Sequence, residues 1–331
     1  MIKKAIITGS TGGLGQALVR KLLTEDVELI LLIRKGSGRA KYLPIDNRIR
    51  IVNCPLNRIQ DLQMTDKNVD AFFHLGWNDT SPEGRLDVRT QMKNVEFTLD
   101  AVDLAYRCGC KAFVGCGSQA EYGNKDEPLQ ASLVCSPEIA YGAAKLSASH
   151  MARIQCQKYG MRFNWVRVLS AYGPVDNPYS VVSQVIINSL FHRTTELTKG
   201  EQIWDLLYTS DIAEAFWLAT INGINGKTYT IGCDQELSLR QELEIFAKLA
   251  GGENLVRFGA RDYSVEQNMY LKADSSEIKT DTGWKQKVGI EEGAKRTVKF
   301  WGKMVERYDN GLYEEYFKAG KKVKWERSNS I

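Results

Sequence analysis

The stretch that decides the fold lies at the start of the chain: Lys4-Ala-Ile-Ile-Thr-Gly9-Ser-Thr-Gly12-Gly-Leu-Gly15. An apolar run typical of a buried strand leads directly into the glycines, and an amphipathic helix pattern comes next. The spacing Gly-x-x-Gly-x-x-Gly is one residue longer between its first two glycines than the usual dinucleotide fingerprint. Such glycines let the backbone approach a pyrophosphate, whose charge is favoured at the helix N-terminus. The residues predicted to bind a dinucleotide here are Gly9, Thr11, Gly12, Gly13, Leu14 and Gly15.

A second motif is Tyr141-Gly-Ala-Ala-Lys145, in a helix predicted over residues 140–159. Residues four apart share a helix face, so the phenol and the ammonium point into the same space. The ammonium favours the phenolate form, which makes Tyr141 usable as a general acid or base at neutral pH. Upstream, the apolar segment 113–118 reads as a strand that ends at Ser118. The end of a parallel strand borders the crevice where ligands bind, so Ser118 is predicted to face the same site.

These motifs occur together with Tyr122-Gly123, Asn94-Val-Glu-Phe-Thr98, Arg167-x-x-x-x-Tyr172-Gly173-Pro174 and a Trp204-Asp205…Asp211 segment. In order and spacing the set resembles the extended short-chain dehydrogenase/reductase family, over residues 1 to about 300. More narrowly, it resembles the NAD(P)-dependent nucleotide-sugar epimerases, dehydratases and reductases. The resemblance implies that Ser118, Tyr141 and Lys145 are catalytic and that Tyr141 and Lys145 also contact the cofactor. It adds further cofactor contacts at Leu56, Leu75, Gly76, Asn94 and Leu169.

Short apolar runs alternate with helical patterns along the chain. Strands are predicted at residues 5–8, 28–33, 50–53, 71–75, 112–115, 164–169 and 228–231, and helices at 14–23, 85–107, 140–159, 181–191, 209–219 and 239–249. This alternation predicts an α/β fold: a Rossmann-like, doubly wound parallel sheet with a smaller, discontinuous α/β substrate-binding lobe. The predicted NADP-binding domain comprises residues 1–174 and about 205–232. The substrate-binding lobe comprises about 175–204 and 233–331, and its tail from 308 onward is predicted to be frayed.

Composition excludes several classes of function. The net charge of +4 is slight and no basic cluster is interleaved with aromatics, so no nucleic-acid partner is expected. No apolar stretch is long enough to cross a membrane, and the start of the chain does not resemble a signal peptide. Seven cysteines without paired spacing favour free thiols and a cytoplasmic location, and three isolated histidines give no basis for a metal site. The resemblance implies a homodimer that forms through helices 85–107 and 140–159.

The choice of cofactor depends on the residues after the second strand. NAD enzymes usually place an acid there to bind the adenosine ribose, whereas an arginine accommodates the 2′-phosphate of NADP. This chain has Arg34 and Lys35, with Ser37 and Arg39 close behind. We therefore predict that the cofactor is NADP. The alternative is that these residues form an ordinary solvated basic turn and that the cofactor is NAD.

The residues directly after Ser118 narrow the choice of reaction. Family dehydratases carry an Asp-Glu pair there, whereas this chain has Gln119 and Ala120, which cannot exchange protons. The cysteine and histidine of the combined epimerase/reductase that makes GDP-fucose are also not matched. Together with the NADP prediction, this favours an NADPH-dependent reductase of a nucleotide-linked 4-keto-6-deoxy sugar. An epimerase that acts through a 4-keto intermediate is the main alternative; a dehydratase and a non-catalytic NADP-binding regulator are less favoured.

The sequence gives weaker signals for the residues that bind the nucleotide-sugar substrate than for those that bind the cofactor. Trp204 stands where relatives carry an arginine for the diphosphate, and it either stacks on a base or belongs to the core. Arg261 is the candidate for the diphosphate, with a plain surface arginine as the alternative. Trp77 is expected near the nicotinamide and the sugar, or buried under the sheet. The other predicted sugar contacts are Gln119, Asn177, Tyr179 and Ser81.

Overall fold

A computed structural model describes residues 2–264 and 267–308. The strands are β1 (Lys4–Thr8), β2 (Glu28–Ile33), β3 (Ile49–Asn53), β4 (Ala71–His74), β5 (Ala112–Ser118), β6 (Arg162–Val168), β7 (Ser170–Tyr172), β8 (Thr195–Leu197), β9 (Leu206–Tyr208), β10 (Thr228–Ile231) and β11 (Val256–Phe258). The helices are α1 (Gly13–Thr24), α2 (Pro82–Leu86), α3 (Val88–Arg107), α4 (Ala140–Lys158), α5 (Val181–Leu190), α6 (Thr209–Asn222), α7 (Leu239–Leu249), α8 (Ser276–Thr282) and α9 (Ile290–Tyr308). Apart from Tyr308, the tail that was predicted to be frayed lies outside the described residues.

The main sheet has seven parallel strands in the order β10-β6-β5-β4-β1-β2-β3. Successive residues of β1 point to opposite faces, so Ile7 packs with α1 and α6 and Ile6 packs with α3 and α4. Both faces of the sheet are therefore covered by helices. This architecture confirms the predicted α/β, doubly wound fold, and β10 rejoins the first sheet as expected.

Strand order reverses at β1, which lies between β4 and β2. In open α/β sheets such a reversal leaves a crevice at the carboxyl ends of the strands, and ligands bind there. The ends of β1, β4 and β5 at this edge are Thr8, His74 and Ser118. The fold thus brings the glycine turn and the predicted catalytic serine to one edge of the sheet.

Outside this sheet, β7 pairs with β9 and β8 pairs with β11, each as a two-stranded parallel sheet. Helices α5, α7 and α9 pack around a separate core that includes Phe246 and Trp301. The three-residue strands β7, β8, β9 and β11 and the helices α8 and α9 were not predicted.

The prediction of one continuous helix over residues 85–107 is wrong. The chain forms the short helix α2, leaves the helical conformation at Asp87, and starts again as α3. The Asp87 carboxylate accepts hydrogen bonds from the backbone N–H groups of Arg89 and Thr90, at 3.0 and 3.3 Å. This is an N-cap, which satisfies N–H groups that an uninterrupted helix would have bonded internally. The break matters because α2 carries a residue of the candidate site.

All seven cysteines lie within the described ranges and are free thiols. Among the residues that the structure describes, no group of three or more histidine, cysteine or acidic side chains could hold a metal ion. Within the same residues, none of the helices combines the length and the apolar character that a membrane span requires.

Candidate active site

In the glycine turn between β1 and α1, backbone segments lie so close together that side chains would not fit between them. Gly9 has φ +71°, a conformation that favours glycine, and a Cβ there would lie 2.6 Å from the Gly76 nitrogen. A Cβ on Gly15 would lie 2.1 Å from the Gly9 oxygen, so only glycine lets α1 pack on the strand. A Cβ on Gly12, the N-cap of α1, would have no neighbour nearer than 3.6 Å. Gly12 is therefore not tightly packed on this side, at the N-terminus of α1, where the charge of a phosphate is favoured.

A buried histidine ties this turn to the neighbouring strand and helix. Thr98 Oγ1 donates to the Asn94 oxygen at 2.8 Å, so it accepts from His74 Nε2 at 3.3 Å. His74 Nδ1 then accepts from Thr8 Oγ1 at 3.0 Å, and Thr8 Oγ1 accepts from the Gly76 N–H at 3.1 Å. Burial lowers the pKa of His74 to about 3, so the ring is neutral. The chain of bonds fixes two predicted cofactor contacts, Asn94 and Gly76, relative to one another.

The three predicted catalytic side chains come to one place. Ser118 ends β5, and Tyr141 and Lys145 lie one turn apart on the first turns of α4; all three are buried. Lys145 Nζ donates to the Cys116 oxygen at 2.6 Å, which holds α4 against the end of β5. Gly142 lets α4 approach still further, because a Cβ there would lie 2.0 Å from the Ala120 oxygen. Sheet and helix thus meet at the serine, the phenol and the ammonium.

Two further side chains enclose the tyrosine and the lysine. The Trp77 ring lies 5.9 Å from that of Tyr141, edge-on, and Lys145 Nζ lies 3.8 Å from the centre of the Trp77 ring. Arg85, from α2, places its Cζ 4.5 Å over the Tyr141 ring. Trp77 is held by a 2.8 Å bond from Nε1 to Gln91 Oε1. Arg85 was not predicted as a site residue because it was assigned to the start of one long helix; Ser81-Pro82 ahead and Asp87 behind were the signals of a separate short helix.

The loop that carries Trp77 is fixed from α3. Asn94, predicted to bind the cofactor, is buried, and its side-chain amide bonds both backbone groups of Asn78, at 2.7 and 2.9 Å. Ser81, predicted as a sugar contact, caps α2 by accepting from the Gly84 N–H at 3.1 Å. Asn94 and Ser81 therefore shape the loop that presents Trp77 and Arg85.

Directly after Ser118 the chain forms a short 3-10 turn, Gln119–Glu121. Gln119 begins the turn, next to the serine that is predicted to be catalytic, and Ala120 offers only a methyl group. Glu121 is fully buried, and its two carboxylate oxygens accept hydrogen bonds from Ser118, Trp165 and Arg167. None of these three turn residues presents a free carboxyl group to the crevice. Glu121 was not among the site residues predicted from the sequence.

The match to known proteins agrees with this geometry. The model of the NAD dependent epimerase/dehydratase family matches residues 5–232, which include the glycine turn, Ser118, Tyr141 and Lys145. The chain belongs to that family. It is therefore an enzyme of the extended short-chain dehydrogenase/reductase type, for which NAD(P) is the typical cofactor.

Individual relatives are distant. The chain is 25% identical over 321 residues to UDP-glucuronic acid decarboxylase 1 of Xenopus tropicalis, covering 94% of this chain and 75% of the relative. The UDP-glucose 4-epimerase of Thermotoga maritima, solved with UDP-glucose, has a TM-score of 0.81 at 21% identity, covering 91% of this chain and 99% of the epimerase. The dTDP-glucose 4,6-dehydratase DesIV of Streptomyces venezuelae, solved with NAD, has a TM-score of 0.82 at 23% identity, covering 95% and 99%. These likenesses show a shared fold among enzymes of different reactions.

A basic turn follows β2. Arg34 and Lys35 follow β2 and are exposed, and in residues 2–264 and 267–308 neither forms an ion pair. The Arg39 backbone oxygen accepts from Gln16 Nε2 at 3.1 Å, so the turn is tied to α1. A turn with several cationic side chains is therefore tied to α1, the helix that follows the glycine turn.

The remaining predicted cofactor contacts lie at two places. Leu56 packs on Gly76, where a Cβ would lie 2.8 Å from Leu56 Cδ2, and Leu75 donates its N–H to the Thr8 oxygen at 3.3 Å. These residues line the crevice next to the glycine turn. Leu169 is buried beside Tyr122, past the end of β6.

The predicted substrate contacts are more dispersed than the three predicted catalytic side chains. Asn177 and Tyr179 are exposed on the loop after β7, where Asn177 Oδ1 accepts from the Tyr179 N–H at 3.1 Å. Trp204 packs against the buried cluster that contains Leu169. Arg261 follows β11, and its N–H donates to the Leu197 oxygen of β8 at 3.2 Å. Trp77 and Gln119 are the two predicted substrate contacts that lie directly beside the side chains predicted to be catalytic.

Proposed function

We propose that this enzyme is an NADPH-dependent reductase of a nucleotide-linked 4-keto-6-deoxy sugar. When bound, NADPH supplies the hydride that is added to C4 of the ketosugar. Tyr141 donates its proton to the oxygen at C4, and the ammonium of Lys145 stabilises the phenolate that this leaves. Ser118 donates a hydrogen bond to the same oxygen and so orients the ketone.

The proposal depends mainly on one observation: the turn directly after Ser118, residues 119–121, offers no free carboxyl group. Removal of water from a sugar requires a general acid and a general base, but the two positions after Ser118 are Gln119 and Ala120. The next residue, Glu121, is buried and holds three hydrogen bonds on its two oxygens. It cannot take part in proton transfer without breaking that network. Reduction needs only the proton of Tyr141, which this site offers.

The residues proposed to hold NADP fit the group. The open side of Gly12 and the N–H groups of α1, which has no acidic residue in its first turn, suit a pyrophosphate. Arg34 and Lys35 suit the 2′-phosphate, because a guanidinium forms paired, charge-assisted bonds with phosphate oxygens. We assign the cofactor to residues 1–174 and about 205–232, and the nucleotide sugar to residues about 175–204 and 233–331. In this assignment Arg261 binds the diphosphate, and Trp77, Gln119, Asn177, Tyr179 and Trp204 surround the rest of the substrate.

The reaction is tested by incubating the enzyme with NADPH and a panel of nucleotide-linked 4-keto-6-deoxy sugars. We expect stoichiometric oxidation of NADPH, measured by its absorbance, with at least one member. The epimerase alternative, suggested by the likeness to the Thermotoga maritima enzyme, predicts isomerisation of a sugar with no NADPH consumed. Release of water from a nucleotide hexose would contradict both.

Cofactor preference is tested at Arg34. The 2′-phosphate should gain charge-assisted hydrogen bonds worth about 1.5–3 kcal/mol, so NADPH should bind roughly tenfold to a hundredfold more tightly than NADH. Arg34→Asp should remove or reverse that preference, because it replaces the cation with the acid that suits a ribose hydroxyl. Fluorescence titration with both cofactors measures it. Arg257→Asp, at an exposed arginine on β11, is the control and should leave both affinities unchanged. Equal affinities for NADPH and NADH in the unmodified enzyme would contradict the proposal.

We also propose a homodimer that forms through α3 and α4. Their outer faces carry apolar side chains that are at least 50% exposed: Met92, Tyr106, Met151 and Ile154. A second copy of the same pair of helices would cover them. Ile154→Glu should shift the protein from dimer to monomer in analytical ultracentrifugation, whereas Ile224→Glu, at a similarly exposed residue elsewhere, should not. A monomeric unmodified enzyme at micromolar concentration would refute this assembly.

A further inference from the structure

Glu121 is an acidic residue whose side chain is completely buried, which is unusual for a group that can carry a charge. Its side chain is 0% exposed, in the turn directly after Ser118. Oε1 accepts from the Ser118 N–H at 2.9 Å and from Trp165 Nε1 at 3.0 Å, and Oε2 accepts from Arg167 Nε at 2.7 Å. A buried carboxylate is costly unless it is paired and fully hydrogen-bonded, and these three donors meet that need.

Arg167, on β6, balances the charge of Glu121. Arg167 is only 4% exposed, its Cζ lies 4.6 Å over the Tyr122 ring, and its Nη1 donates to the Ala131 oxygen at 3.3 Å. The guanidinium is thus fixed on three sides, which fixes the carboxylate in turn. The pair couples β6 to the end of β5, beside the catalytic serine.

Gly117, the residue before Ser118 in β5, leaves room for the Glu121 carboxylate. A Cβ at Gly117 would lie 2.6 Å from Glu121 Oε1 and 2.4 Å from Trp165 Nε1. A side chain there would push the carboxylate away from the Ser118 N–H. The absence of a side chain at Gly117 therefore permits the contact between Glu121 and Ser118.

These contacts determine how Ser118 is presented. Its N–H is held by Glu121, and its Oγ accepts from the Ala120 N–H at 3.2 Å, which leaves the hydroxyl proton free to be donated. Two residues earlier, Lys145 holds the Cys116 oxygen. The segment from Cys116 to Ser118 is thus fixed at both ends, by Lys145 and by the buried acid.

We propose that Glu121 is a positioning residue: with Arg167 as its counter-ion, it orients Ser118 so that the hydroxyl faces the oxygen of the reacting carbonyl. The inference rests on the proposed role of Ser118 but not on the identity of the sugar. It applies equally to a reductase and to an epimerase, because both need that oxygen held. Glu121 touches neither substrate nor cofactor in this scheme, so its effect must pass through Ser118.

A double-mutant cycle separates this role from a structural one. Glu121→Gln should lower kcat by about tenfold to a hundredfold, as expected for a misplaced catalytic group, and leave KM within about twofold. In a Ser118→Ala background the same substitution should change kcat by less than about twofold, because the residue it positions is gone. Glu138→Gln, an exposed acid on the neighbouring loop, is the control and should have no effect. Equal losses in both backgrounds would overturn the proposal.

A second measurement does not depend on activity. The Ser118 amide should exchange with deuterium at least about tenfold faster in Glu121→Gln, because it loses a charge-assisted bond. If Glu121→Gln fails to fold, Glu121→Leu with Arg167→Met removes both charges, and the cycle and the exchange are measured on that variant. Unchanged exchange at Ser118 would overturn the positioning role. A third outcome separates the two proposals. If the enzyme turns over no nucleotide sugar but the Ser118 amide exchanges faster in Glu121→Gln, the proposed function is refuted, whereas the contact between Glu121 and Ser118 is confirmed.

Discussion

Tyr141→Phe is expected to lower kcat by about a hundredfold to ten-thousandfold, the usual effect of losing a general acid. Only the hydroxyl is removed: the ring keeps its edge-on contact with Trp77 and its place under the Arg85 guanidinium. The fold and the affinity for NADPH should therefore change little. Initial rates, fluorescence titration of NADPH and thermal unfolding measure the three quantities separately.

The other two side chains proposed as catalytic, Lys145 and Ser118, are the comparison for Tyr141. Lys145→Ala should cost as much in kcat, because it removes the ammonium one helical turn from the phenol and frees the Cys116 oxygen. It should also weaken NADPH binding, because Lys145 is proposed to contact the cofactor. Ser118→Ala should cost less, since the serine orients the ketone and does not supply the proton. If Tyr141→Phe retains most of its turnover on the substrate found, the proposed mechanism is wrong.

The features that could be predicted from the sequence are those encoded locally. The glycine turn, the strands of the main sheet and the pairing of Tyr141 with Lys145 depend on spacing within a few residues, and periodicity reveals them. The doubly wound sheet then results from the alternation of strands and helices. The return of β10 to β6 was predictable on the same basis.

The rest depends on contacts that no local pattern displays. Glu121 is buried by Trp165 and Arg167, which are 44 and 46 residues away in the chain. Strands of three residues, such as β8 and β11, are too short to show alternation. Arg85 lies over Tyr141 where Asp87 ends α2 and begins α3, and a single capping residue does not interrupt the helical periodicity of the surrounding sequence.

Gly142→Ala is the second variant for which a large loss is expected, although helix propensity alone favours alanine over glycine by about 1 kcal/mol. A Cβ at this position would lie 2.0 Å from the oxygen and 2.7 Å from the carbonyl carbon of Ala120. Both are backbone atoms, which cannot rotate away, so α4 must move back from the turn after Ser118. Tyr141 is the adjacent residue and would move with it.

A displacement of about 1 Å between catalytic groups can cost about a hundredfold in rate, and we expect a loss of that size in kcat for Gly142→Ala. NADPH binding should weaken less, because the glycine turn and Arg34 lie on other elements. Gly302→Ala is the matched control: it is also a helical glycine, in α9, but nothing lies within 4 Å of the added Cβ. That variant should keep full turnover and unfold at the same or a slightly higher temperature. If Gly142→Ala instead keeps more than half of the turnover, close packing of α4 on the 119–121 turn is not what aligns Tyr141 with Ser118.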